Sequence, residues 1–132
     1  MTRRETRESA FILLFESLFR DDSPDEIIEL ASEIDDFKVN DGIKKMFKET
    51  LEHSAETDEI ISKLSEKRQI ERIPKVSLAI LRLALYEIIF DENVPQDAAI
   101  NEAVLLSKKF AQAEDVSFIN GVLGKYSRSK PE

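Results

Sequence analysis

The 132-residue sequence contains no cysteine. A disulfide framework, a thiolate metal site and a thiol nucleophile are therefore excluded, and the composition suits a reducing compartment such as the cytoplasm. Glycine and proline are scarce, at three and four residues. No apolar run approaches the ~18 residues that a membrane span needs. The opening Met1-Thr2-Arg3-Arg4-Glu5 leads straight into a patterned segment, without the character of a secretory signal. There is one histidine, His53, set among lysines and glutamates, where it reads as a bystander. HExxH, EF-hand spacing, GxGxxG and GxxxxGKS/T are all missing. Gly121 and Gly124 lie late and follow no strand, so they form no phosphate loop. Nothing sets a nucleophile beside a base. These absences predict a binding protein with no catalytic residues, no metal and no cofactor.

What is present is the balance of a folded soluble domain, 42% apolar and 35% charged. The length suits one domain over residues 1–132. The net charge of −8 is unevenly spread. Residues 21–36 hold eight acids (Asp21, Asp22, Asp25, Glu26, Glu29, Glu33, Asp35 and Asp36) and no base, which leaves 19 acids and 19 bases elsewhere. Arg3, Arg4 and Arg7 cluster at the N-terminus. Fields fall off within about 8 Å at physiological salt, so a local basic patch can bind phosphate on an acidic protein. The acidic run itself reads as a solvated helix face.

Apolar residues recur at spacings of three and four, which predicts an all-α chain of about seven helices. The first carries Phe11, Leu14, Phe15 and Leu18 on one stripe, with Ala10 and Phe19 beside it. Ser23-Pro24-Asp25-Glu26 starts the second, with serine at the N-cap, proline at the first position and glutamate three residues on. Its expected buried face is Ile27, Leu30, Ala31 and Ile34. A third opens near Asp41 with Ile43, Met46, Phe47 and Leu51 inward; a fourth starts at Thr57-Asp58-Glu59 and buries Ile60, Ile61 and Leu64. From Val76 to Phe90, twelve of fifteen residues are apolar, broken only by Ser77, Arg82 and Glu87. Such a helix belongs at the centre of a fold, and a half-buried Arg82 or Glu87 must find partners there. A sixth runs from Gln96 with Ile100, Ala103, Val104 and Phe110 inward. A seventh is capped by Ser117 and presents Ile119, Val122, Leu123 and Tyr126, before a frayed tail from Ser127 to Glu132.

Two places suggest nucleic acid. Basic side chains at a helix start work against the helix dipole, so Arg3, Arg4 and Arg7 are either a solvated tail or a patch for RNA phosphates and bases. Phe118, off the stripe of its helix and beside Asn120 and Lys125, is either a core residue or a platform for an unstacked base.

Several stretches together resemble one family. They are Ile80-Leu81-Arg82-Leu83-Ala84-Leu85-Tyr86-Glu87, then Val94-Pro95, then Ala99-Ile100-Asn101-Glu102-Ala103-Val104, then Lys108-Lys109-Phe110, and last Phe118-Ile119-Asn120-Gly121-Val122-Leu123. With Arg4-x-x-Arg7-Glu8-x-Ala10 and Leu14-Phe15 at the N-terminus, they resemble the NusB transcription antitermination family over nearly the whole chain. The resemblance implies seven helices in two small bundles. It implies binding of boxA, a single-stranded RNA element of ribosomal RNA leaders, together with the ribosomal protein NusE, in a complex with NusA, NusG and RNA polymerase. It carries RNA contact over to Arg3, Arg4 and Arg7, and to Phe118 and Asn120 of the FxNG motif. Lys125, one turn on, is added from its charge and helical spacing. A homodimer through the RNA-facing surface is left open.

The sequence departs from the family at two points. Many members have a tryptophan where Arg68 stands, and many have an acid where Ser77 stands, an acid that helps form the NusE-facing surface. Other readings are a NusB-like RNA-targeting domain of the kind fused to RNA cytosine methyltransferases, and a protein-interaction module working through its acidic face. The sequence to residue 132 holds no cofactor-binding α/β domain, so catalysis would need a separate chain.

Overall fold

The computed structural model describes residues 1–34, 36–66 and 69–129. These residues form seven α-helices and no strand, as the spacing predicts. In chain order they are α1 (Arg3–Ser17), α2 (Pro24–Ser32), α3 (Asp41–Glu52), α4 (Ser54–Leu64), α5 (Lys75–Phe90), α6 (Gln96–Phe110) and α7 (Ala113–Ser129), with a 3-10 turn, Ile70–Arg72, before α5. The chain divides into two compact units, Met1–Glu52 and His53–Glu132.

In the first unit α1 packs against both α2 and α3. Side chains define where its helices start. The Ser23 hydroxyl accepts from the Glu26 amide at 3.2 Å, and the Glu26 carboxylate accepts from the Ser23 amide at 3.1 Å. This is the reciprocal cap expected from the sequence, and such caps stabilise a helix by ~1 kcal/mol. Asn40 caps α3 by accepting from the Ile43 amide at 2.9 Å. Because α1 has a neighbour on two sides, its buried face is wider than one stripe: Leu13 joins Ala10, Phe11 and Leu14, while Leu18 and Phe15 are only half-buried. Phe19 is exposed and meets Phe15 edge-on at 5.0 Å. On α2, Ile27 and Ala31 are buried as expected, but Ile28 takes the place foreseen for Leu30 and Ile34. The helix ends at Ser32, so Ile34 is past the helical register, and both it and Leu30 stay exposed. On α3, Thr50 is buried and Leu51 only half so.

The second unit is built on α5. Ten of its residues are buried, with Ile80, Leu81 and Leu85 at zero exposure. Helices α4, α6 and α7 all pack on it. Arg82, which interrupts the apolar run, reaches Asp58 of α4 through two parallel hydrogen bonds of 2.7 Å, the fork-to-carboxylate geometry that makes such pairs strong. Helix α4 starts at Ser54, three residues before the sequence signal. The Thr57 hydroxyl donates back to the Ser54 carbonyl at 3.2 Å instead of capping, a competing local bond open to any threonine inside a helix. Ile61 is buried there, Ile60 and Leu64 half-buried. His53 precedes α4 and stacks flat on Phe90, ring centres 3.8 Å apart.

Helix α7 also starts early, at Ala113. The Asp115 carboxylate accepts from the Gln112 amide at 3.2 Å, and Ser117 is inside the helix. Ile119, Val122 and Leu123 are buried and Tyr126 half-buried. On α6, Leu106 and Ser107 are buried with Ala99 and Ala103, while Ile100 and Val104 are half-buried. Phe110 is exposed at the end of the helix, with the Lys109 ammonium 5.5 Å from its ring centre. Residues 127–129 are helical and not frayed, the Ser127 hydroxyl accepting from Gln96 at 3.2 Å. Residues 130–132 of the foreseen tail lie outside the described residues, as does Arg68.

Candidate nucleic-acid interface

The three arginines occupy the first two turns of α1, but not equally. Arg3 and Arg4 are exposed, whereas Arg7 is 5% exposed. Two cations at a helix start oppose its dipole, and the chain offsets this with a cap that sequence reading missed. The Thr2 amide donates to Glu5 Oε1 at 2.9 Å, and the Glu5 amide donates to Thr2 Oγ1 at 3.1 Å. The Thr2 backbone bond, then its side-chain bond, hold the Glu5 carboxyl below its ordinary pKa. The Thr-x-x-Glu spacing was the available signal. Glu5, an acid among the arginines, stiffens the turn that carries them. Arg3 and Arg4 thus stand on an ordered turn, suited to meeting phosphate oxygens in a fixed register. Arg7, with little surface to offer, is suited to support from below.

The other candidates lie on α7, in the second unit. Phe118 is half-buried, between the two readings of it. Asn120 and Lys125 are exposed. At about 100° per residue, Phe118, Gly121 and Lys125 share one side of α7, while Asn120 points about 160° away from Phe118 and about 140° away from Lys125. The FxNG residues therefore do not form a single contact point. Gly121 leaves that side open, because a Cβ there would meet nothing within 4 Å. Lys125 is already engaged: its ammonium lies 3.4 Å from the Leu64 carbonyl and 3.5 Å from Glu66 Oε1. It closes the C-terminal end of α4, where a cation suits the dipole. Glu66 follows with φ of 60°, the left-handed conformation that commonly ends helices and that glycine adopts more readily. Lys125 thus carries a structural duty that its sequence position did not reveal.

Two polar residues of the apolar helix α5 turn inward. Arg82 is taken by Asp58. Ser77 is fully buried, and its hydroxyl has no hydrogen-bond partner among the described residues. No cluster of three or more potential metal-ligating side chains occurs among the described residues. None of the described helices is long and apolar enough to cross a membrane.

Comparison with known proteins finds matches over nearly the whole chain. The sequence model of the NusB family matches residues 4–128. The transcription antitermination protein NusB of Agathobacter rectalis is 39% identical, over 96% of this chain and 100% of its own. That of Acetivibrio thermocellus is 41% identical, over 98% of this chain and 91% of its own. Among solved structures, a chain in the crystal structure of antitermination factors NusB and NusE in complex with dsRNA superposes with a TM-score of 0.83. It is 29% identical and the match covers 97% of each chain. With helices, motifs and matched length in agreement, this chain belongs to the NusB family of transcription antitermination proteins.

Proposed function

We propose that the chain acts as one RNA-binding domain over residues 1–132. In this reading it binds boxA RNA of ribosomal RNA operon leaders together with the ribosomal protein NusE. It would work in the cytoplasm, in a complex that includes NusA, NusG and RNA polymerase. The observation that carries the reading is the likeness, across nearly the whole chain, to a NusB solved with NusE and RNA. The exposed Arg3 and Arg4 on a capped turn support it, as guanidiniums that position an RNA backbone. Arg7 holds that turn from the buried side. Phe118 supplies a ring for one unstacked base, with Lys125 beside it for a phosphate and Asn120 on the flank for a base edge. RNA affinity from so few contacts is weak, and NusE raises it by adding a second surface on the same RNA.

The test is fluorescence anisotropy of a labelled boxA RNA titrated with the chain, with and without NusE. A scrambled single strand and a duplex serve as competitors. Preference for boxA that NusE strengthens is the expected result; equal, feeble binding of all three RNAs overturns the reading. Sedimentation alongside decides whether a homodimer competes with RNA. Phe118→Ala should weaken boxA binding by ~1–3 kcal/mol, the usual loss when a stacking ring is removed. Binding that survives the change takes Phe118 out of the site.

A further inference from the structure

In the first unit, α2 carries an apolar stripe that α1 only half covers. Ile27 and Ala31 are buried, but Leu30 is 43% and Ile34 59% exposed. With Ile12 of α1 and Phe37 beyond α2, these residues line an open cleft of about 280 Å³. Three of the large apolar side chains that remain exposed, Ile12, Leu30 and Ile34, thus meet in one place. Scattered exposed apolar residues are ordinary, whereas a contiguous patch rimmed by polar groups marks an interaction site.

The rim is acidic. The segment that forms α2 and its flanks, residues 21–36, holds eight acids and no base. Asp21, Glu29, Glu33 and Asp36 are exposed. One cation reaches the cleft, Arg20, and it is held by Asp22 at 2.5 Å and Glu16 at 3.5 Å. The volume falls just short of the roughly 300–1,000 Å³ of small-molecule pockets, which suits a few inserted side chains better than a cofactor. RNA is repelled by such a rim. A second copy would bring another chain of net charge −8 against it.

We infer that this cleft docks a basic amphipathic helix of a partner protein. Two or three of its aliphatic or aromatic side chains, spaced i, i+3 or i+4, and i+7, enter between α1 and α2 in the helix-in-groove manner. Its flanking lysines or arginines face the carboxylates of α2, giving orientation and association rate. The cleft is lined by none of Arg3, Arg4 and Arg7 and by no residue of α7, and its occupancy does not depend on RNA.

The probe is a labelled 14-residue helical peptide of leucine and lysine in amphipathic register, compared with its leucine and glutamate counterpart. Both are titrated against the full chain by anisotropy. The lysine peptide should bind, more weakly as salt rises, and the glutamate peptide should not. The double substitution Leu30→Gln and Ile34→Gln, at exposed positions, should weaken the lysine peptide about tenfold or more, leaving boxA RNA binding and the melting curve unchanged. Three results overturn the inference: no binding of the lysine peptide at millimolar concentration, equal binding of both peptides, or affinity unmoved by the double substitution. A concentration-dependent dimer dissolved by that substitution would assign the cleft to a second copy instead, and likewise overturns it.

Discussion

The two compact units solve the same problem in different ways. The second, from His53 onward, wraps three helices around α5, whose ten buried residues include three leucines and an isoleucine at no more than 1% exposure. The first has no helix of that kind. Its hub, α1, has a short apolar block, Ala10 to Leu14, buried but for Ile12, between charged ends, and the unit's helix starts carry side-chain caps at Thr2, Ser23 and Asn40. Helix α5 has no side-chain cap and starts after Pro74. A helix that is apolar on nearly every side is held by burial and does not need its ends secured. A short or charged helix draws a larger share of its stability from its ends. The exposed arginines and the open apolar cleft both lie in the unit that has no helix like α5.

The sharpest way to break this comparison is to cut a leucine from each unit. Leu81→Ala, at a fully buried position of α5, should destabilise the protein by ~2–5 kcal/mol. Leu30→Ala, at a half-covered position of α2, should cost less than about 1 kcal/mol. Thermal melts of both variants give the answer. Equal losses would mean that the first unit is not the more tolerant one.

Next in size is the ion pair between Arg82 and Asp58, with side chains 14% and 22% exposed. Asp58→Ala leaves the guanidinium without its forked acceptor. It should cost ~2–3 kcal/mol, below the 3–5 of fully buried pairs because both side chains keep some solvent. Urea unfolding measures it. A loss under ~1 kcal/mol would show the pair behaving like a surface one.

The arginine turn sharpens the comparison inside the first unit. Arg7→Ala should lower stability by ~1–3 kcal/mol, because a buried charged side chain is lost together with its packing. Arg3→Ala with Arg4→Ala should leave the melt unchanged and reduce the salt slope of RNA binding by ~0.7 for each phosphate contact removed. If Arg7→Ala moves the slope and not the melt, the buried arginine belongs to the RNA contact after all.

How much of this was legible in the sequence follows from the same contrast. Helix α5 could be read because no arrangement other than burial accommodates twelve apolar residues in fifteen, and the Ser23 cap because its residues are contiguous. Leu30 and Ile34 could not, since periodicity marks an apolar face without saying whether a neighbour is long enough to cover it. Arg7 shares its residue type and its turn with exposed arginines; only packing separates them. The hydrogen bond of Lys125 to the Leu64 carbonyl spans 61 residues of sequence, beyond any local rule, so charge and helical spacing could suggest an RNA contact for Lys125 but not this structural one. Thr57 resembles a cap in sequence and is overruled by a bond to the Ser54 carbonyl.

The smallest expected effect concerns the reciprocal cap of Thr2 and Glu5. Hydrogen bonds from Thr2 favour the ionised carboxylate, so the folded pKa of Glu5 lies below its unfolded value. The sign follows from linkage: the cap's contribution is complete above the unfolded pKa and is lost as pH falls through the folded one. Between pH 5 and 8 the turn holding Arg3 and Arg4 should therefore be insensitive to pH, and it should loosen only in acid. Thr2→Ala removes the hydroxyl and keeps the amide that donates to Glu5, so the Glu5 carboxyl should move only part of the way back up toward the ordinary carboxylate range, as followed by its carbon chemical shift during an NMR titration. Amide exchange should quicken in the first turn of α1 and not in α5. Global stability should hardly change, because α5 and its neighbours do not depend on that cap. First-turn amide exchange that Thr2→Ala leaves unchanged would mean that the order of the arginine turn comes from the packing of Arg7 and not from its cap.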